Sequence, residues 1–595
     1  MYGINSREFK SSKARYPTLT SNERIPRALR ASLPQDSIVL QITNGCSSLH
    51  CPSLLLTFLV DLQIRIALDR LVKMTMINSV RSYLSATHAL TPVNINTSFL
   101  KAITPRMLWA LGILTVVFTY VNMSQIAPND FWWHMAVGRQ ILATGQIPAV
   151  DIYSYTMAGQ PYLSYQMFWL MDVWLYWWFS LGGAELILFI QSLVITSTYL
   201  MIMILCWQNS RKWGVTAFCL LFAVVLGVYA WSVRPQAISF LIGAIFLSTI
   251  YRYRHNPNPL LLAVFPVGML LWVNSHGSFP VGLMLLATWF GDEVWRFATA
   301  RWKRRPANKK EVSIAGVVLL VSTAICLINP RGAGIASYLI SMGSNPTVQN
   351  TVPEWLPPSI TSPIGPLFFA GILFSAVVLV ITPRRVTFYQ LATFVFFTAL
   401  GLWTTRGVVW FGLVMAPILA NNLSAISEGL PLGHKPVKAS LITRWINFAL
   451  LSLLMVLAFV SLPWFRSMMP VRGDYRSLVT RDTPMESVKF LMQEQPEGRV
   501  FNDMAFGSYM IWAAQPEYQV FTDPRIELFP ERVWNDYQVI SRARPGWEGK
   551  LDEYEVQTLF LNPDAQAGLV EKATQSAAWQ LVHQDRTALI FQRAD

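Results

Sequence analysis

Charged residues are scarce in this sequence. Of its 595 residues only 13% are charged, whereas 53% are hydrophobic, and a soluble domain usually carries about a quarter charged residues. The shortage excludes an ordinary soluble globular protein. The 23 tryptophans point the same way, because tryptophan is favoured where a membrane meets water. The composition predicts a polytopic membrane protein with one soluble portion.

Cysteine and the common catalytic signatures are also scarce. The five cysteines, at positions 46, 51, 206, 219 and 326, form no disulfide framework and no metal-binding spacing. The last three lie in apolar runs, as packing residues do. The sequence has no Walker loop, HExxH helix, GxSxG elbow or dinucleotide-binding glycine motif. A soluble nucleotide is therefore not indicated as a substrate.

Acidic residues are fewer than basic ones, 33 against 47, which gives a net charge of +14. The basic clusters lie between apolar runs, where Lys and Arg set the orientation of membrane proteins. We therefore interpret the charge as a membrane signal and expect no nucleic-acid partner.

Long apolar runs, in contrast, fill the middle of the chain. A membrane-spanning helix needs about 20 apolar residues. About eleven segments come close to this length: 107–123, 184–206, 214–231, 236–251, 259–274, 279–297, 312–328, 365–382, 387–403, 407–422 and 446–464.

The connections between these runs are basic at every second position: 211–212, 252–254, 301–310, 383–385 and 434–438. Because Lys and Arg collect in cytoplasmic loops, this alternation predicts a cytoplasmic N-terminus and an outer position for everything after Pro463. It also requires that residues 164–183 do not cross the membrane. That segment is rich in aromatic rings, and we expect it to lie along the outer surface with Asp172 exposed.

The composition divides the chain into three parts. Residues 1–104 are basic and lack periodicity, so we expect disorder with some helix and assign them no function; Met74 and Met76 are alternative starts. Residues 105–465 form the polytopic membrane domain, with a first outer loop at 124–183. Residues 466–595 alternate between helical and strand patterns, which predicts a small α/β domain. Its predicted elements are a helix at 484–495 and strands at 498–502, 518–522, 556–561, 579–583 and 587–592.

Ionisable side chains beside a membrane are costly and indicate functional sites. Eight of them fall in the first outer loop or at outer span ends: Asp130, His134, Arg139, Asp151, Arg234, His276, Arg331 and Arg406. Four arginines and two histidines near one membrane face predict an anionic substrate, because the arginine fork matches phosphate geometry. The alternative for each arginine is a snorkelling cation that only marks the membrane boundary.

Asp130 and His134 are four residues apart, so on a helix they share a face. They could act as base and orienter, or Asp130 could bind a divalent cation such as Mg²⁺ or Mn²⁺. The bland alternatives are a helix N-cap for Asp130 and a hydrogen-bonded interface residue for His134. Asp151 favours a turn role over substrate contact, and His276 either contacts substrate or caps its tight turn.

Five motifs carry a family resemblance: DFWWHMAVGRQIL from Asp130, SVRPQ from Ser232, WVNSHGSF from Trp272, NPRG from Asn329 and TTRG from Thr404. Over residues 105–595 the chain resembles the GT-C class of integral-membrane glycosyltransferases, which use polyprenyl-phosphate-linked sugars. More narrowly, it is similar to bacterial membrane proteins described as glycosyltransferase-like. The resemblance implies a GT-C-like helical fold, a place in the bacterial cytoplasmic membrane and a lipid-linked sugar donor.

The resemblance also implies roles for single residues. The acid of the family's first outer loop falls on Asp130, as general base towards the acceptor or as a metal ligand. Many GT-C enzymes carry a second acid in the next outer loop. Here that turn, Ser232 to Gln236, has no acidic residue. This difference from the family argues against a metal-dependent reaction.

Two functions follow from these observations. The first is transfer of a sugar from a polyprenyl-phosphate donor to a glycan, lipid or protein acceptor on the outer face. Arg234, Arg331 and Arg406 would hold the leaving phosphate, with membrane lipids around the protein. The alternative is a non-catalytic transporter, flippase or scaffold. A transporter predicts ionisable groups near mid-span, whereas these lie at span ends, which favours an interfacial enzyme.

Overall fold

The computed structural model describes residues 100, 103–162, 164–429, 440–469 and 473–594. The interpretation of residues 1–99 and of the basic connection at 434–438 falls outside the described residues. Up to residue 469 the described structure is almost entirely helical, and a small mixed sheet follows.

All eleven apolar segments predicted from the sequence are largely helical. The main helices from the first span to the last are α1 Pro105–Met123, α2 Phe131–Thr144, α3 Tyr165–Ser210, α4 Trp213–Gly227, α5 Gln236–His255, α6 Val264–Val273, α7 Pro280–Trp302, α8 Lys309–Ile325, α9 Gly334–Ser344, α10 Pro346–Thr351, α11 Gly365–Ile381, α12 Phe388–Trp403, α13 Arg406–Gly429 and α14 Leu441–Val460.

Five helical segments are long and apolar enough to cross a membrane: Pro105–Met123, Tyr165–Ser210, Trp213–Ala230, Arg406–Gly429 and Leu441–Val460. Other apolar helices are shorter, so the count of eleven spans stays a prediction. Their outward faces are apolar. In α14, Ile442 and Met455 are 72% and 67% exposed, and continuous apolar surface of this kind needs lipid or protein to cover it. The chain is a polytopic membrane protein.

Local signals set the ends of several helices. Thr104 accepts a hydrogen bond from the Met107 amide ahead of Pro105, which satisfies one of the amides left open at a helix start. Thr387 and Gln390 form a reciprocal capping box at the start of α12. Gly145 ends α2 in the left-handed conformation, at φ 69°, which glycine adopts without steric cost.

Helix α3 is two helices joined at a break. Gly182 and Gly183 have non-helical backbone angles, with φ 63° at Gly183, so residues 165–181 form a segment separate from 184–210. The first segment packs against α2. Asp172, which we expected to be exposed, is completely buried there. That expectation was wrong because the aromatic face of the segment covers α2 and not only the membrane surface.

The connections predicted to lie on one membrane side meet at one end of the bundle. Lys212 Nζ lies 3.2 Å from a carboxylate oxygen of Glu428, and Arg384 donates to the Asn421 carbonyl at 3.1 Å. Arg254, in the next basic connection, pairs with Asp292. The grouping agrees with the predicted alternation, whereas the side of the membrane that it faces stays a prediction.

Residues 473–594 contain helices and a small sheet, called the α/β unit below, whereas a separate domain at 466–595 stays a prediction. The helices of the unit are α15 Gly473–Arg476, α16 Met485–Glu494, α17 Met504–Ala513, α18 Glu531–Ser541, α19 Trp547–Glu553 and α20 Ala567–Gln575, and its strands are β1 Arg499–Asn502, β2 Val556–Leu561, β3 Trp579–Gln584 and β4 Leu589–Arg593. The strand order is β1-β2-β4-β3, with β1 and β2 parallel and the other pairs antiparallel.

One predicted strand is wrong. Residues 518–522 do not join the sheet; Val520 makes an isolated bridge with Ser154 of the first outer loop. The Val520 amide donates to the Tyr153 carbonyl at 3.0 Å, and the Tyr155 amide donates to the Val520 carbonyl at 3.2 Å. The backbone groups of Val520 are thus satisfied by the loop, and this contact holds the α/β unit against it.

Candidate active site

A cavity of about 320 Å³ lies where the outer span ends, the first outer loop and the α/β unit meet. Of the eight predicted site residues, five line it: Asp130, His134, Arg234, His276 and Arg406. They come from positions 130 to 406 of the sequence. The sequence predicted only that they lie on the same side of the membrane, and the fold brings them into one cavity.

Asp130 precedes α2 but does not cap it. Its backbone is helical, at φ −55° and ψ −25°, and its side chain makes no capping hydrogen bond. Instead, Asn129 Oδ1 accepts from the Phe131 amide at 3.2 Å. The Oδ2 atom of Asp130 lies 3.4 Å from Arg234 Nε. The N-cap alternative therefore fails, and the carboxylate remains available to the cavity.

His134 is held by a buried carboxylate. Its Nδ1 lies 2.6 Å from Asp172 Oδ1, and its ring stacks on Trp133 at 3.6 Å. The side chain is only 3% exposed. Burial is the largest cause that holds the pKa of His134 well below its usual range, and the positive charge of Arg234 adds to it. With Nδ1 engaged by Asp172, only Nε2 is left for a ligand.

Asp172 is a site residue that the sequence interpretation missed. Its main chain approaches α2 so closely that a Cβ on Gly138 would stand 2.1 Å from the Asp172 carbonyl oxygen. A glycine in the middle of α2 usually destabilises a helix, and here it permits the close contact that brings Asp172 to His134. Gly138, inside the DFWWHMAVGRQIL motif, was the available signal.

His276 lies in the turn between α6 and α7 and has a defined hydrogen-bond pattern. Its Nδ1 accepts from the Ser278 amide at 3.1 Å and lies 2.8 Å from Ser278 Oγ. Trp272 Nε1 donates to the same hydroxyl at 3.2 Å. Burial, followed by the charges of Arg406 and Arg234, lowers the pKa of His276 to about 3. The neutral ring therefore carries its proton on Nε2.

The two cavity arginines share one carboxylate, Glu354. Arg234 Nη1 lies 2.5 Å from Glu354 Oε1, and Arg406 donates through Nε and Nη2 to Oε2 at 3.1 and 2.8 Å. These bonds hold both guanidinium groups at the cavity, and the two positive charges keep the pKa of Glu354 below its usual range despite burial. The sequence interpretation missed Glu354, although it is the only acidic residue between Asn329 and Pro363.

The α/β unit contributes a further carboxyl group, Glu527, which was also missed. Its Oε1 accepts from Tyr162 Oη at 2.7 Å and from Ser164 Oγ at 2.8 Å. Burial is the largest cause of its raised pKa, and the charge of Asp130 adds to it. No pattern in the sequence indicates that Glu527 lies beside the membrane domain. Its position at the cavity is visible only in the three-dimensional structure.

A smaller cavity of about 100 Å³ adjoins the active-site cavity and shares Gln236, His276 and Arg406 with it. Its other walls are mainly apolar side chains of the spans and their ends: Leu226, Tyr229, Ala230, Phe240, Ile364, Val408, Val409 and Trp410. The polar cavity therefore continues into an apolar groove between helices.

Three predicted site residues lie outside the cavity wall. Arg139 donates to the Trp512 carbonyl at 3.0 Å and stacks over the Trp512 ring at 4.5 Å. Arg331 stacks over Tyr338 at 4.8 Å. Asp151 belongs to a closed ion-pair cluster of the first outer loop and the α/β unit.

That cluster is centred on Arg525. The guanidinium donates to Asp151 Oδ1 at 2.5 Å and to Asp523 Oδ2 at 2.6 Å, and all three side chains are fully buried. Ser154 Oγ also donates to Asp151, at 2.5 Å. Burial raises the pKa of Asp151, but the charge of Arg525 and the hydrogen bonds from Ser154 and Arg525 outweigh burial and lower it. The turn interpretation of Asp151 thus extends to a contact between two parts of the chain.

The donor set at Asp130 does not fit a divalent cation. Among the described residues, no three His, Cys, Asp or Glu side chains are grouped to hold a metal ion. The charged group beside the Asp130 carboxylate is the Arg234 guanidinium, which repels a cation from the same oxygen. A Mg²⁺ or Mn²⁺ ion at Asp130 stays a prediction without support from this geometry.

No protein-family profile matches the sequence, and no curated protein matches it. Among solved structures, the chain is similar to ArnT from Cupriavidus metallidurans bound to undecaprenyl phosphate, at 14% identity and a TM-score of 0.42 over 81% of this chain and 97% of that one. It is also similar to ArnT from the same organism in the apo state, at 14% identity and a TM-score of 0.44 over 80% of this chain and 95% of that one.

Proposed function

We propose that this protein is a membrane glycosyltransferase that moves a sugar from a polyprenyl-phosphate-linked donor to an acceptor hydroxyl at the outer face of the bacterial cytoplasmic membrane. One observation carries the proposal. The Asp130 carboxylate and the guanidinium groups of Arg234 and Arg406 meet in one cavity, and that cavity continues into an apolar groove between the spans. A ligand with a phosphate, a sugar and an isoprenoid chain matches this sequence of surfaces.

The donor phosphate is placed beside Arg234 and Arg406. Arg406 uses Nε and Nη2 on Glu354, so Nη1 is left for a phosphate oxygen. Arg234 Nε is buried and has no hydrogen-bond partner. A guanidinium carries five N–H donors, so both side chains can receive a phosphate. The isoprenoid chain then lies in the adjoining groove along Phe240 and Trp410.

The proposed reaction is a displacement at the anomeric carbon of the sugar. The acceptor oxygen forms a bond to this carbon, and the bond from the carbon to the phosphate oxygen breaks. The Asp130 carboxylate takes the proton of the acceptor hydroxyl, and the polyprenyl phosphate leaves with the bonding electrons. Fixed positive charge helps most where negative charge develops, and this is the task of Arg234 and Arg406.

The remaining site residues support this step. His134, positioned by Asp172, and His276, positioned by Ser278, present neutral rings that orient the sugar through hydrogen bonds. Arg139 and Asp151 are instead assigned to holding the first outer loop against the α/β unit. A substrate contact of Arg331 stays a prediction. The acceptor is a glycan, a lipid or a protein.

The test is transfer by the purified full chain in nanodiscs, with radiolabelled polyprenyl-phosphate sugars and a membrane extract as acceptor. Removal of a general base costs about 10²–10⁴-fold in rate, so Asp130→Asn is expected to lose this much while its unfolding midpoint is retained. Asp564→Asn removes an exposed carboxylate of the α/β unit and is the matched control, expected to keep full activity. EDTA is expected to leave the rate unchanged, since Arg234 stands beside the Asp130 carboxylate.

Equal transfer by wild type and Asp130→Asn contradicts the role of this cavity. Absence of transfer with every polyprenyl-phosphate donor favours the non-catalytic alternative, a transporter, flippase or scaffold.

A further inference from the structure

A second large cavity, of about 740 Å³, lies at the opposite end of the bundle from the candidate active site. Helix α5 joins the two. Gln236, its first residue, lines the active-site cavity, and His255, its last residue, lines the second. Twenty residues of helix measure about 30 Å, which is the thickness of a bilayer core. The second cavity therefore lies at the predicted cytoplasmic face.

The charge of this cavity is of one sign. Its wall contains Arg211, Arg252, Arg254 and His255, and no acidic residue is part of the wall. Arg254 is compensated from outside by Asp292. Arg211 stacks over the Trp207 ring at 4.6 Å. Among the described residues, neither Arg211 nor Arg252 has a carboxylate in ion-pair range. Two guanidinium groups therefore remain uncompensated at the cavity.

Part of the wall is apolar. This apolar half includes Met201, Ile204 and Leu205, which lie five to nine residues before the end of α3. Ile204 is 42% exposed on the outer surface of the bundle, where lipid chains lie. Trp207 follows these residues on α3 and contacts Arg211, as tryptophan does where a membrane meets water.

We propose that this cavity binds the phosphate headgroup of an anionic phospholipid of the cytoplasmic leaflet, with Arg211 and Arg252 as the binding cations. Basic pockets between membrane helices on the cytoplasmic side bind anionic headgroups. The apolar half receives the first part of the acyl chains, and Gln208 in the same wall supplies an amide group for the glycerol and headgroup hydroxyls. A soluble anion would not use the half of the wall formed by Met201, Ile204 and Leu205. This site is independent of the proposed transferase reaction.

Native mass spectrometry of the full chain, titrated with phosphatidylglycerol or phosphatidylcholine in detergent, tests the proposal. One phosphatidylglycerol is expected to bind clearly tighter than phosphatidylcholine. In the double variant Arg211→Gln, Arg252→Gln its affinity is expected to fall about 30-fold, from about 1 kcal/mol per arginine and tenfold per 1.4 kcal/mol. Unchanged sugar transfer and unfolding midpoint would show that the variant is folded.

The matched control is Arg301→Gln, Arg305→Gln. Both arginines are exposed in the next predicted cytoplasmic connection and lie outside the cavity wall, so the same loss of charge leaves the cavity intact. An equal loss of affinity in this control would show that the lipid is held by general surface charge and not by this cavity, which would overturn the proposal. Inorganic phosphate is compared with phosphatidylglycerol by the unfolding midpoint of the wild type. An equal rise with both would overturn the assignment to a lipid.

Discussion

At the scale of single residues, Glu354 decides what the two cavity arginines can do. Its carboxylate holds both guanidinium groups and neutralises part of the positive charge that would attract the proposed phosphate. A phosphate on the remaining N–H groups therefore competes with Glu354 for the charge of Arg234 and Arg406. Glu354 both positions the arginines and screens them when no donor is bound.

Glu354→Gln is expected to lower the KM for the polyprenyl-phosphate donor. A hydrogen bond to a charged group contributes about 1.5–3 kcal/mol, so loss of the competing charge corresponds to roughly a tenfold change in KM or more. Steady-state transfer rates over a range of donor concentrations measure it. Glu497→Gln, at an exposed position of the α/β unit, is the control. A raised KM would show that positioning outweighs competition.

His276 gives the site a pH dependence. Its pKa is lowered from the usual 6.5 to about 3 in the folded protein, so between these values the unfolded chain binds a proton that the folded chain does not. Its contribution to stability is therefore complete above pH 6.5 and is lost as the pH falls towards 3. The unfolding midpoint is expected to fall on acidification, and less steeply in His276→Gln. Equal slopes would refute this assignment.

Residue roles were only partly predictable. The sequence indicated Asp130, His134, Arg234, His276 and Arg406 because charged groups at predicted outer span ends are few. It missed Asp172 because an acid in an aromatic segment suits an exposed interface equally well. Glu527 was beyond reach, since its neighbours Tyr162 and Ser164 are more than 350 positions away in the chain.

At the scale of secondary-structure elements, the contact between α2 and residues 165–181 of α3 determines the geometry of the site. It brings Asp172 to His134, and Gly138 is the residue at which the helices approach. Apolar length predicted which segments are helical, because a span must satisfy its own backbone, whereas the number of spans stays a prediction. The same reasoning could not predict that residues 518–522 bond to the first outer loop, since strand partners are not encoded in strand propensity.

Gly138→Ala is expected to lower the free energy of unfolding by about 1–3 kcal/mol, as forced overpacking does, and to reduce sugar transfer because His134 loses its support. The added Cβ would meet the Asp172 carbonyl, which is backbone and cannot rotate away. Thermal unfolding and transfer rates measure both effects. Gly112→Ala in α1, where a Cβ meets nothing within 4 Å, is expected to be neutral or stabilising. Similar effects of the two variants would remove the special role of the α2 contact.

At the scale of the whole molecule, the α/β unit is part of the candidate active site and closes it. Met504, Ala505 and Glu527 line the cavity opposite the spans. The buried cluster of Arg525 with Asp151 and Asp523 fixes this arrangement. The alternation of helical and strand patterns indicated the unit, and its outer location stays a prediction. Its contact with the first outer loop depends on pairs of distant residues.

Arg525→Ala leaves two buried carboxylates without their cation, which costs about 3–5 kcal/mol. We expect a lower unfolding midpoint and faster proteolysis between the membrane domain and the α/β unit. Arg532→Ala breaks an exposed ion pair with Glu553, which contributes about 0–1 kcal/mol, and is the control. Resistance of Arg525→Ala to both assays would show that apolar packing alone holds the unit.

The predicted orientation is tested with a membrane-impermeant thiol reagent on intact cells, in a background with Cys46→Ser and Cys51→Ser. Glu497→Cys is expected to react, and Arg304→Cys only after permeabilisation, because the basic connection 301–310 is predicted to be cytoplasmic. The reverse pattern would invert the topology.

The shared carboxylate of Glu354 has a consequence for selectivity. Two guanidinium groups and the carboxylates of Asp130 and Glu354 cancel in charge, so the empty site offers free inorganic phosphate little net attraction. A ligand that also buries methylene groups gains about 0.8 kcal/mol for each, and the apolar groove gives only a lipid this gain. The site therefore discriminates by the tail of its ligand, and inorganic phosphate is expected to be a poor inhibitor of sugar transfer.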